Sequence, residues 1–197
     1  MSNGVLEIRA ISGHAGPVAG RDASRDHAVA KLIDVTTCIG CKACEVACLE
    51  WNGYAYRETV FDNTYQTMPD LAWNYYNLIR FDEHVDPEGN LSWLMRKDGC
   101  MHCADPGCLR ACPSDGAIVQ YDNGIVDFQQ EYCIGCQYCV TGCPFNIPKF
   151  NPETKKVHKC TLCSDRVGAG LERRGRPVRE EWQMEVGRAQ ARRPPRD

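Results

Sequence analysis

This sequence lacks long apolar runs and a charge of one dominant sign. No stretch approaches the roughly 18 consecutive apolar residues of a membrane span, and no apolar segment follows a basic start as in a secretory signal peptide. The net charge of −3 provides neither a basic surface for nucleic acid nor a strongly acidic one. We therefore expect no nucleic-acid partner and a chain that neither exports nor anchors itself.

Residue groups typical of a catalytic site are also missing. No Asp or Glu pair is spaced for general acid–base work, and no glycine-rich loop is spaced to hold phosphate with a basic residue. We predict no catalytic residue, and no enzyme activity in the chain by itself.

Cysteine, by contrast, is abundant, with 14 among 197 residues. Such a count requires either a disulfide framework or bound metal. Two-residue gaps between cysteines recur along the chain, and thiols at this spacing are too constrained for ordinary disulfides. The spacing therefore favours metal clusters.

The fullest cysteine run extends from Cys133 to Pro144 and reads Cys-Ile-Gly-Cys-Gln-Tyr-Cys-Val-Thr-Gly-Cys-Pro. This is the spacing of bacterial ferredoxins, in which three thiolates bind one [4Fe–4S] cluster and the fourth binds another. Gly135 allows a positive φ and a close approach of the backbone to the cluster, while Pro144 fixes the exit direction of the chain. One such run implies a partner run.

Three further runs repeat this spacing in whole or in part. The run from Cys133 is the third along the chain. The first run, from Cys38, has the same gaps and the same Cys-Ile-Gly-Cys opening. The second run, from Cys100, has a wider middle gap, and the fourth, from Cys160, stops after two cysteines. We predict that every cysteine is an iron ligand. These are Cys38, Cys41, Cys44, Cys48, Cys100, Cys103, Cys108, Cys112, Cys133, Cys136, Cys139, Cys143, Cys160 and Cys163.

The segments between the runs predict hairpins, an aromatic cover and two terminal arms. Ala28–Val35 and Leu91–Arg96 are strand candidates, Asp86–Asn90 is a turn, and Gly116–Phe128 folds back at Asn-Gly. A partly helical solvated segment is expected at Val178–Ala191. The predicted organisation is a flexible arm (1–27), a first cluster motif (28–60), an aromatic insertion (61–90), second (91–123) and third (124–155) motifs, an incomplete fourth motif (156–171) and a divergent Arg-rich tail (172–197).

Two histidines lie beside candidate ligands. His102 lies between Cys100 and Cys103, where four thiolates are available, so we expect it to support the site or to pack rather than to bind iron. His158 precedes Cys160 and is a better candidate to replace a missing ligand, although sequence adjacency does not set its direction.

Two other functions remain open from the cysteines alone. Cys-x2-Cys pairs also build structural zinc sites, so a zinc-binding protein is one alternative. An incompletely ligated iron is a possible catalytic position, although nothing else in the chain resembles a substrate site.

Five longer motifs surround the cysteines. They are Lys31–Cys44, Glu50–Asn52, Arg96–Cys103, Asn123–Phe128 and Lys159–Cys163. Through these motifs the chain resembles, from about Ala28 to Leu171, the iron–sulfur (β) subunit of respiratory formate dehydrogenases, within the polyferredoxin subunits of molybdopterin oxidoreductases. The resemblance implies a wire of four [4Fe–4S] clusters from a formate-oxidising molybdenum or tungsten catalytic subunit to a cytochrome b membrane subunit. Similar subunits of thiosulfate, polysulfide, dimethyl sulfoxide or nitrate enzymes are the alternative.

The resemblance also implies how the cysteines divide among the sites. The second and third runs combine into two complete sets. These are Cys100, Cys103, Cys108 and Cys143 in one set, and Cys112, Cys133, Cys136 and Cys139 in the other. The first and fourth runs combine into two sets that each lack one cysteine. These are Cys38, Cys41 and Cys44, and Cys48, Cys160 and Cys163. We expect the complete sites to bind metal stably and the incomplete sites to be labile, vacant or converted to [3Fe–4S].

The sequence departs from the family pattern after about Leu171. It lacks two of the 16 expected cysteines and the C-terminal membrane helix, so docking to a cytochrome b subunit is in doubt, and the stretch from Glu172 has eight Arg and no Lys. We hypothesise a truncated or frame-shifted product, which sequencing of the gene tests. The hypothesis would be wrong if no downstream reading frame restored Cys-x3-Cys-Pro and an apolar helix.

The expected fold is α+β, with tandem ferredoxin-like [4Fe–4S] units of short hairpins and short helices. The expected location is the periplasmic side of the inner membrane through its partners, or alternatively the cytoplasm.

Overall fold

The computed structural model describes residues 8–13, 31, 33–56 and 64–168. Within these residues the chain forms seven strands and four short helices. The strands are β1 (Ile8–Ile11), β2 (Asn77–Val85), β3 (Leu91–Gly99), β4 (Ile118–Tyr121), β5 (Val126–Phe128), β6 (Lys149–Asn151) and β7 (Lys156–His158). The helices are α1 (Ala43–Trp51), α2 (Gly107–Ala111), α3 (Tyr138–Thr141) and α4 (Ser164–Gly168).

Strand β1 corrects the prediction of a flexible arm over residues 1–27. It pairs antiparallel with β4, which also pairs with β5, so the three strands form one sheet in the order β1-β4-β5. Ser12 continues the pairing: its N–H donates to the carbonyl of Ile118, and its hydroxyl oxygen accepts from the N–H of Ile118 at 3.0 Å. Four residues are too few to show a strand pattern, and the free edge of β4 provides the hydrogen bonds that stabilise β1. The rest of the predicted arm, 1–7 and 14–27, lies outside the described residues.

The predicted hairpin of β4 and β5 is confirmed and contributes to the main core. Its Asn-Gly turn places Gly124 at a φ of 88°, a left-handed conformation that glycine adopts readily. Ile118 and Val126 are each 1% exposed and pack with Leu109 and with cysteines of the second and third runs. Burial of a side chain such as Ile118 contributes about 1.5–3 kcal/mol to stability. This core therefore supports the loops that carry those cysteines.

Strands β2 and β3 form the longest hairpin, with nine residue pairs in register. The predicted turn at Asp86–Asn90 joins them, and the Asn90 N–H donates to the Asp86 carboxylate at 2.7 Å. The strand predicted at Leu91–Arg96 is confirmed and extends to Gly99. The hairpin spans the predicted boundary between the aromatic insertion (61–90) and the second motif (91–123), so these two segments share one structural element.

A buried carboxylate connects this hairpin to α1. Glu45 is 2% exposed and accepts three hydrogen bonds: from the Ile79 N–H at 2.5 Å, the Tyr75 hydroxyl at 2.6 Å and the Thr67 hydroxyl at 2.6 Å. Burial of the phenol and its bond to Glu45 raise the pKa of Tyr75. Since buried polar groups require partners, this cluster fixes the first cysteine run against the hairpin.

Two other sequence predictions concern the ends of the described chain. The strand candidate Ala28–Val35 is wrong where it can be compared, because residues 33–35 form no strand, and residues 28–30 and 32 lie outside the described part. The tail 172–197, with its expected helix at Val178–Ala191, also lies outside the described residues. In the described part of the chain, no helix has the length and apolar character needed to cross a bilayer.

Candidate metal centres

Helices α2 and α3 bring the second and third cysteine runs together. A Cβ atom on Gly107 would lie 2.5 Å from the carbonyl oxygen of Gly142, and one on Gly142 would lie 2.5 Å from the Cβ of Ala111. Glycine at both positions therefore lets the two helices approach until thiols from both runs line the same clefts.

Two clefts gather four thiols each, and all 14 cysteines are free. The His102 cleft encloses about 370 Å³, part of it open to solvent, and is lined by Cys100, Cys103, Cys108 and Cys143. The Gly135 cleft encloses about 280 Å³, also partly open, and is lined by Cys112, Cys133, Cys136 and Cys139. The structure thus brings together the two sets of four that the family resemblance implies.

The thiols surround each cleft instead of converging on one point. Within the described residues, no three His, Cys, Asp or Glu side chains converge closely enough to hold a single metal ion. A [4Fe–4S] cluster is held by four thiolates spread over its corners, so its ligands lie around a larger volume.

Burial raises the pKa of three thiols that line the clefts, Cys103, Cys108 and Cys139. Burial and, to a smaller extent, the neighbouring thiols of Cys112 and Cys108 together raise the pKa of Cys139 to about 12. Burial raises the pKa of Cys108 to about 11, where the Lys159 ammonium acts in the opposite direction. These thiols therefore keep their protons at neutral pH, and metal binding must displace them because the thiolate is the ligand.

One backbone conformation recurs in all four cysteine runs. The third residue of the Cys-x2-Cys segment that opens each run has a positive φ: 64° at Gly40, 45° at His102, 73° at Gly135 and 54° at Leu162. Glycine adopts this left-handed conformation readily, whereas His and Leu adopt it rarely. The four loops therefore share a shape, although only two of them carry the glycine that indicates it in the sequence.

The first and fourth runs meet through α1 and α4. The indole N–H of Trp51 donates to the Asp165 carboxylate at 3.0 Å, and the Arg166 guanidinium lies 4.7 Å from the centre of the Trp51 ring. Burial, together with nearby Cys160 and Cys163, raises the pKa of Cys48 to about 12. Cys48, Cys160 and Cys163 thus lie together, as the resemblance implies.

The remaining cysteines of the first run differ in exposure. Cys44 is buried, Cys38 is half-buried and Cys41 is exposed. Exposure does not distinguish this set from the Gly135 cleft, where Cys136 is also exposed.

Lysine side chains surround the fourth run. The Lys31 ammonium donates to the Cys100 carbonyl at 3.0 Å and lies 3.8 Å from the Cys160 sulfur. Lys159 is 3% exposed, donates to the carbonyls of Val126 and Cys160, and lines the His102 cleft. Burial raises the pKa of the Cys160 thiol, but Lys31 and Lys159 outweigh it and lower the pKa overall. These cations favour a thiolate at Cys160.

Comparison with known proteins gives the chain a family. Two family models, each described as a 4Fe-4S dicluster domain, match residues 37–116 and 91–178. The formate dehydrogenase-O iron-sulfur subunit of Escherichia coli is 56% identical over 173 residues, which cover 87% of this chain and 56% of the relative. The nitrate-inducible formate dehydrogenase iron-sulfur subunit of the same organism is 60% identical over 144 residues, 73% of this chain and 49% of the relative.

A third relative is aligned over more of its own length. The formate dehydrogenase 2 subunit beta (cytochrome c-553) of Nitratidesulfovibrio vulgaris is 33% identical over 148 residues, 72% of this chain and 68% of the relative. The chain belongs to the family of formate dehydrogenase iron–sulfur subunits. It spans about half the length of the two Escherichia coli members of that family. The resemblance inferred from the motifs is confirmed, as are tandem ferredoxin-like cluster domains with short strands and few short helices.

The His102 and Gly135 clefts suit the [4Fe–4S] groups of this iron–sulfur subunit family. Each cleft offers four thiols, the soft ligands that iron–sulfur clusters require. The other lining atoms are mainly carbon, from residues such as Ile147, Val126, Phe128 and Val157, which limit access of water. The Nε2 atom of His102 is buried and has no partner among the described residues, as expected for a polar group facing a bound group.

The two histidines differ in surroundings. The Nδ1 atom of His102 accepts a hydrogen bond from the Val126 N–H at 3.1 Å, and burial, with the charges of Lys159 and Lys31, lowers its pKa well below the usual value. The Nδ1 atom of His158 lies 3.4 Å from the Tyr76 hydroxyl, and burial lowers its pKa also. Neither contact tests the prediction that His158 replaces a missing ligand.

The sequence did not reveal that Lys159 and Glu45 are buried residues that support the cysteine runs. No local pattern marks a buried lysine or carboxylate. The only signal was their position next to cysteines, since Glu45 follows Cys44 and Lys159 precedes Cys160.

Proposed function

We propose that this chain is the electron-transfer subunit of a formate dehydrogenase complex and is not catalytic by itself. It would take electrons from a molybdenum or tungsten catalytic subunit that oxidises formate and pass them to a cytochrome b membrane subunit. The proposal includes the expected location on the periplasmic side of the inner membrane. The family membership and the 54–60% identity to three formate dehydrogenase iron–sulfur subunits support it.

The observation that carries the proposal is the pair of adjacent four-thiol clefts. Cys100, Cys103, Cys108 and Cys143 would hold one [4Fe–4S] cluster, and Cys112, Cys133, Cys136 and Cys139 another. Bound there, such clusters supply one-electron redox chemistry.

The spacing of the ligands along α2 keeps the two clefts close. Cys108 lines one cleft and Cys112, which follows the last residue of α2, lines the other. Four residues correspond to about 6 Å of rise in a helix, so the polypeptide between the two sites is short. A short separation is what an electron relay needs.

The residues around the thiols provide support for this function. The buried side chains of Ile118 and Val126 exclude water from the core behind the clefts. The Lys159 ammonium places a positive charge next to the His102 cleft, where it favours the more negative, reduced state of a bound group.

Anaerobic reconstitution of the chain with iron and sulfide tests the cluster assignment. We expect broad visible absorption, at least two [4Fe–4S] clusters per chain and reversible one-electron reduction seen by EPR. A colourless protein that retains zinc would favour the structural zinc alternative.

The formate assignment has a separate test. Co-purification with the catalytic subunit, followed by addition of formate, should bleach the visible absorption of the clusters. No bleaching by formate, with recovery of the absorption of dithionite-reduced clusters on addition of thiosulfate, polysulfide, dimethyl sulfoxide or nitrate, would assign the chain to a different molybdopterin oxidoreductase.

A further inference from the structure

His102 occupies a backbone position at which two of the other runs carry glycine. Its φ of 45° lies in the left-handed region, as do those of Gly40 and Gly135 at the equivalent positions. A histidine adopts this conformation less readily than glycine, so the loop geometry alone does not call for this side chain. The imidazole lines the cleft formed by four thiols.

The hydrogen bond to Nδ1 determines which ring nitrogen of His102 carries the proton. The backbone N–H of Val126 can only donate, and it lies 3.1 Å from Nδ1. Nδ1 must therefore offer its lone pair, and in a neutral imidazole the proton then resides on Nε2. The Nε2 atom is a hydrogen-bond donor.

This donor has no acceptor in the described part of the chain. Nε2 is buried and has no hydrogen-bond partner among those residues, which include the four cleft cysteines. The nearby Lys159 ammonium is itself a donor and bonds the carbonyls of Val126 and Cys160. A buried N–H without an acceptor is unfavourable and rare in folded proteins.

We propose that the Nε2–H group of His102 donates a hydrogen bond to a sulfur atom of the cluster held by Cys100, Cys103, Cys108 and Cys143. This inference rests on the proposed function, because the sulfur belongs to the [4Fe–4S] cluster. A donor aimed at cluster sulfur stabilises the more negative, reduced form, so it raises the reduction potential of that cluster. Gly135 provides no such side chain in the neighbouring cleft, so His102 separates the potentials of the two clusters.

The chain itself suggests the variants for a test. His102→Leu introduces the residue that the fourth run carries at the equivalent position, and His102→Gly introduces that of the first and third runs. Both remove the donor and introduce a residue that another run carries at this left-handed position. His102→Asn retains a side-chain N–H and tolerates the left-handed conformation. His84→Leu, on the exposed part of β2, is the matched control.

The measurement is an EPR-monitored redox titration of the full reconstituted chain, with hyperfine spectroscopy in H₂O and D₂O. We expect His102→Leu and His102→Gly to shift one cluster to a more negative potential and to remove an exchangeable-proton coupling. His102→Asn should restore part of both, and His84→Leu should change neither.

Three results would overturn the inference. Unchanged potentials in His102→Leu and His102→Gly would show that Nε2–H does not act on the cluster. Loss of that cluster in all three His102 variants, with normal iron in His84→Leu, would instead make His102 a ligand or a folding element. If the parent chain binds no cluster, the proposed function fails as well.

Discussion

The two halves of the cysteine framework place the same ligand in different surroundings. The second and third runs are joined where α2 and α3 touch at Gly107 and Gly142. Their thiols line two clefts beside the apolar core that contains Ile118 and Val126. The first and fourth runs meet through Trp51 and Asp165, and the buried Glu45 carboxylate fixes the first run to the β2–β3 hairpin. The difference shows that runs with equal cysteine spacing can be held in place by different contacts.

Loss of one thiol should have the largest effect, and the resulting loss of iron should differ between the two halves of the cysteine framework. In Cys108→Ser the hydroxyl is a poor ligand for iron, so we expect the His102 cleft to lose about four iron atoms per chain. In Cys41→Ser we expect little change in tightly bound iron, because the family resemblance implies that this set lacks a fourth cysteine. Iron and sulfide assays after desalting measure both. Equal losses would mean that the first run binds its cluster as firmly as the second and third.

The third-run loop should tolerate a methyl group less well than the first-run loop. A Cβ on Gly135 would lie 2.1 Å from the backbone carbonyl of Lys155, whereas one on Gly40 would meet the movable side chains of Met95 and Phe81 at 2.7 Å. We expect Gly135→Ala to cost about 3 kcal/mol and Gly40→Ala about 1–2 kcal/mol. Denaturant unfolding followed by tryptophan fluorescence gives both values. A larger cost for Gly40→Ala would show that the backbone at Lys155 yields more easily than those side chains.

Removal of the Glu45 carboxylate should loosen the first-run region selectively. Glu45→Gln places an amide where three donors converge, and we expect a loss of about 2–4 kcal/mol. Glu50→Gln, on the exposed face of the same helix, should change stability by less than about 0.5 kcal/mol. Hydrogen exchange should show faster opening of α1, with α2 and α3 unchanged. The idea would be wrong if both variants behaved alike.

The smallest effect concerns an ion-pair group between β2 and β6. Asp70 contacts the Arg80 guanidinium at 2.7 Å and the Lys149 ammonium at 2.8 Å. Because the Asp70 side chain is 48% exposed, we expect Asp70→Asn to cost only about 1 kcal/mol. Asp105→Asn, which breaks a more exposed pair with Arg110, should cost about 0.5 kcal/mol or less.

The Asp70 contribution should depend on pH in a defined direction. Burial raises the pKa of Asp70, but the Lys149 and Leu71 hydrogen bonds and Arg80 outweigh it and lower the pKa overall. A depressed folded-state pKa contributes stability above the unfolded value of about 3.9, and that contribution is lost as pH falls through the folded pKa. The parent and Asp70→Asn should therefore differ by a constant amount above about pH 5 and converge below about pH 4. Thermal unfolding across this range measures the difference, and a difference that grows on acidification would contradict the assignment.

Local patterns in the sequence were sufficient for several elements. The Asn-Gly turn predicted the β4–β5 hairpin, and the turn at Asp86–Asn90 was predicted together with the strand that follows it, because each turn has its own residue requirements. The strand at Ile8–Ile11 could not be predicted, because its hydrogen bonds come from β4, over 100 residues away in the chain. The buried role of Glu45 depends in the same way on Ile79, 34 residues away.

The sequence by itself determined the kind of ligand, its spacing and the family, because thiolate gaps are set by the chemistry of the cluster. The family resemblance already implied which thiols share a site, but only the tertiary structure showed the contact that brings them together, where α2 and α3 meet at Gly107 and Gly142. The tertiary structure also decided that His102 and Leu162 adopt the conformation of the glycines in the other two runs. Contacts between distant segments determine such features, and no local pattern records them.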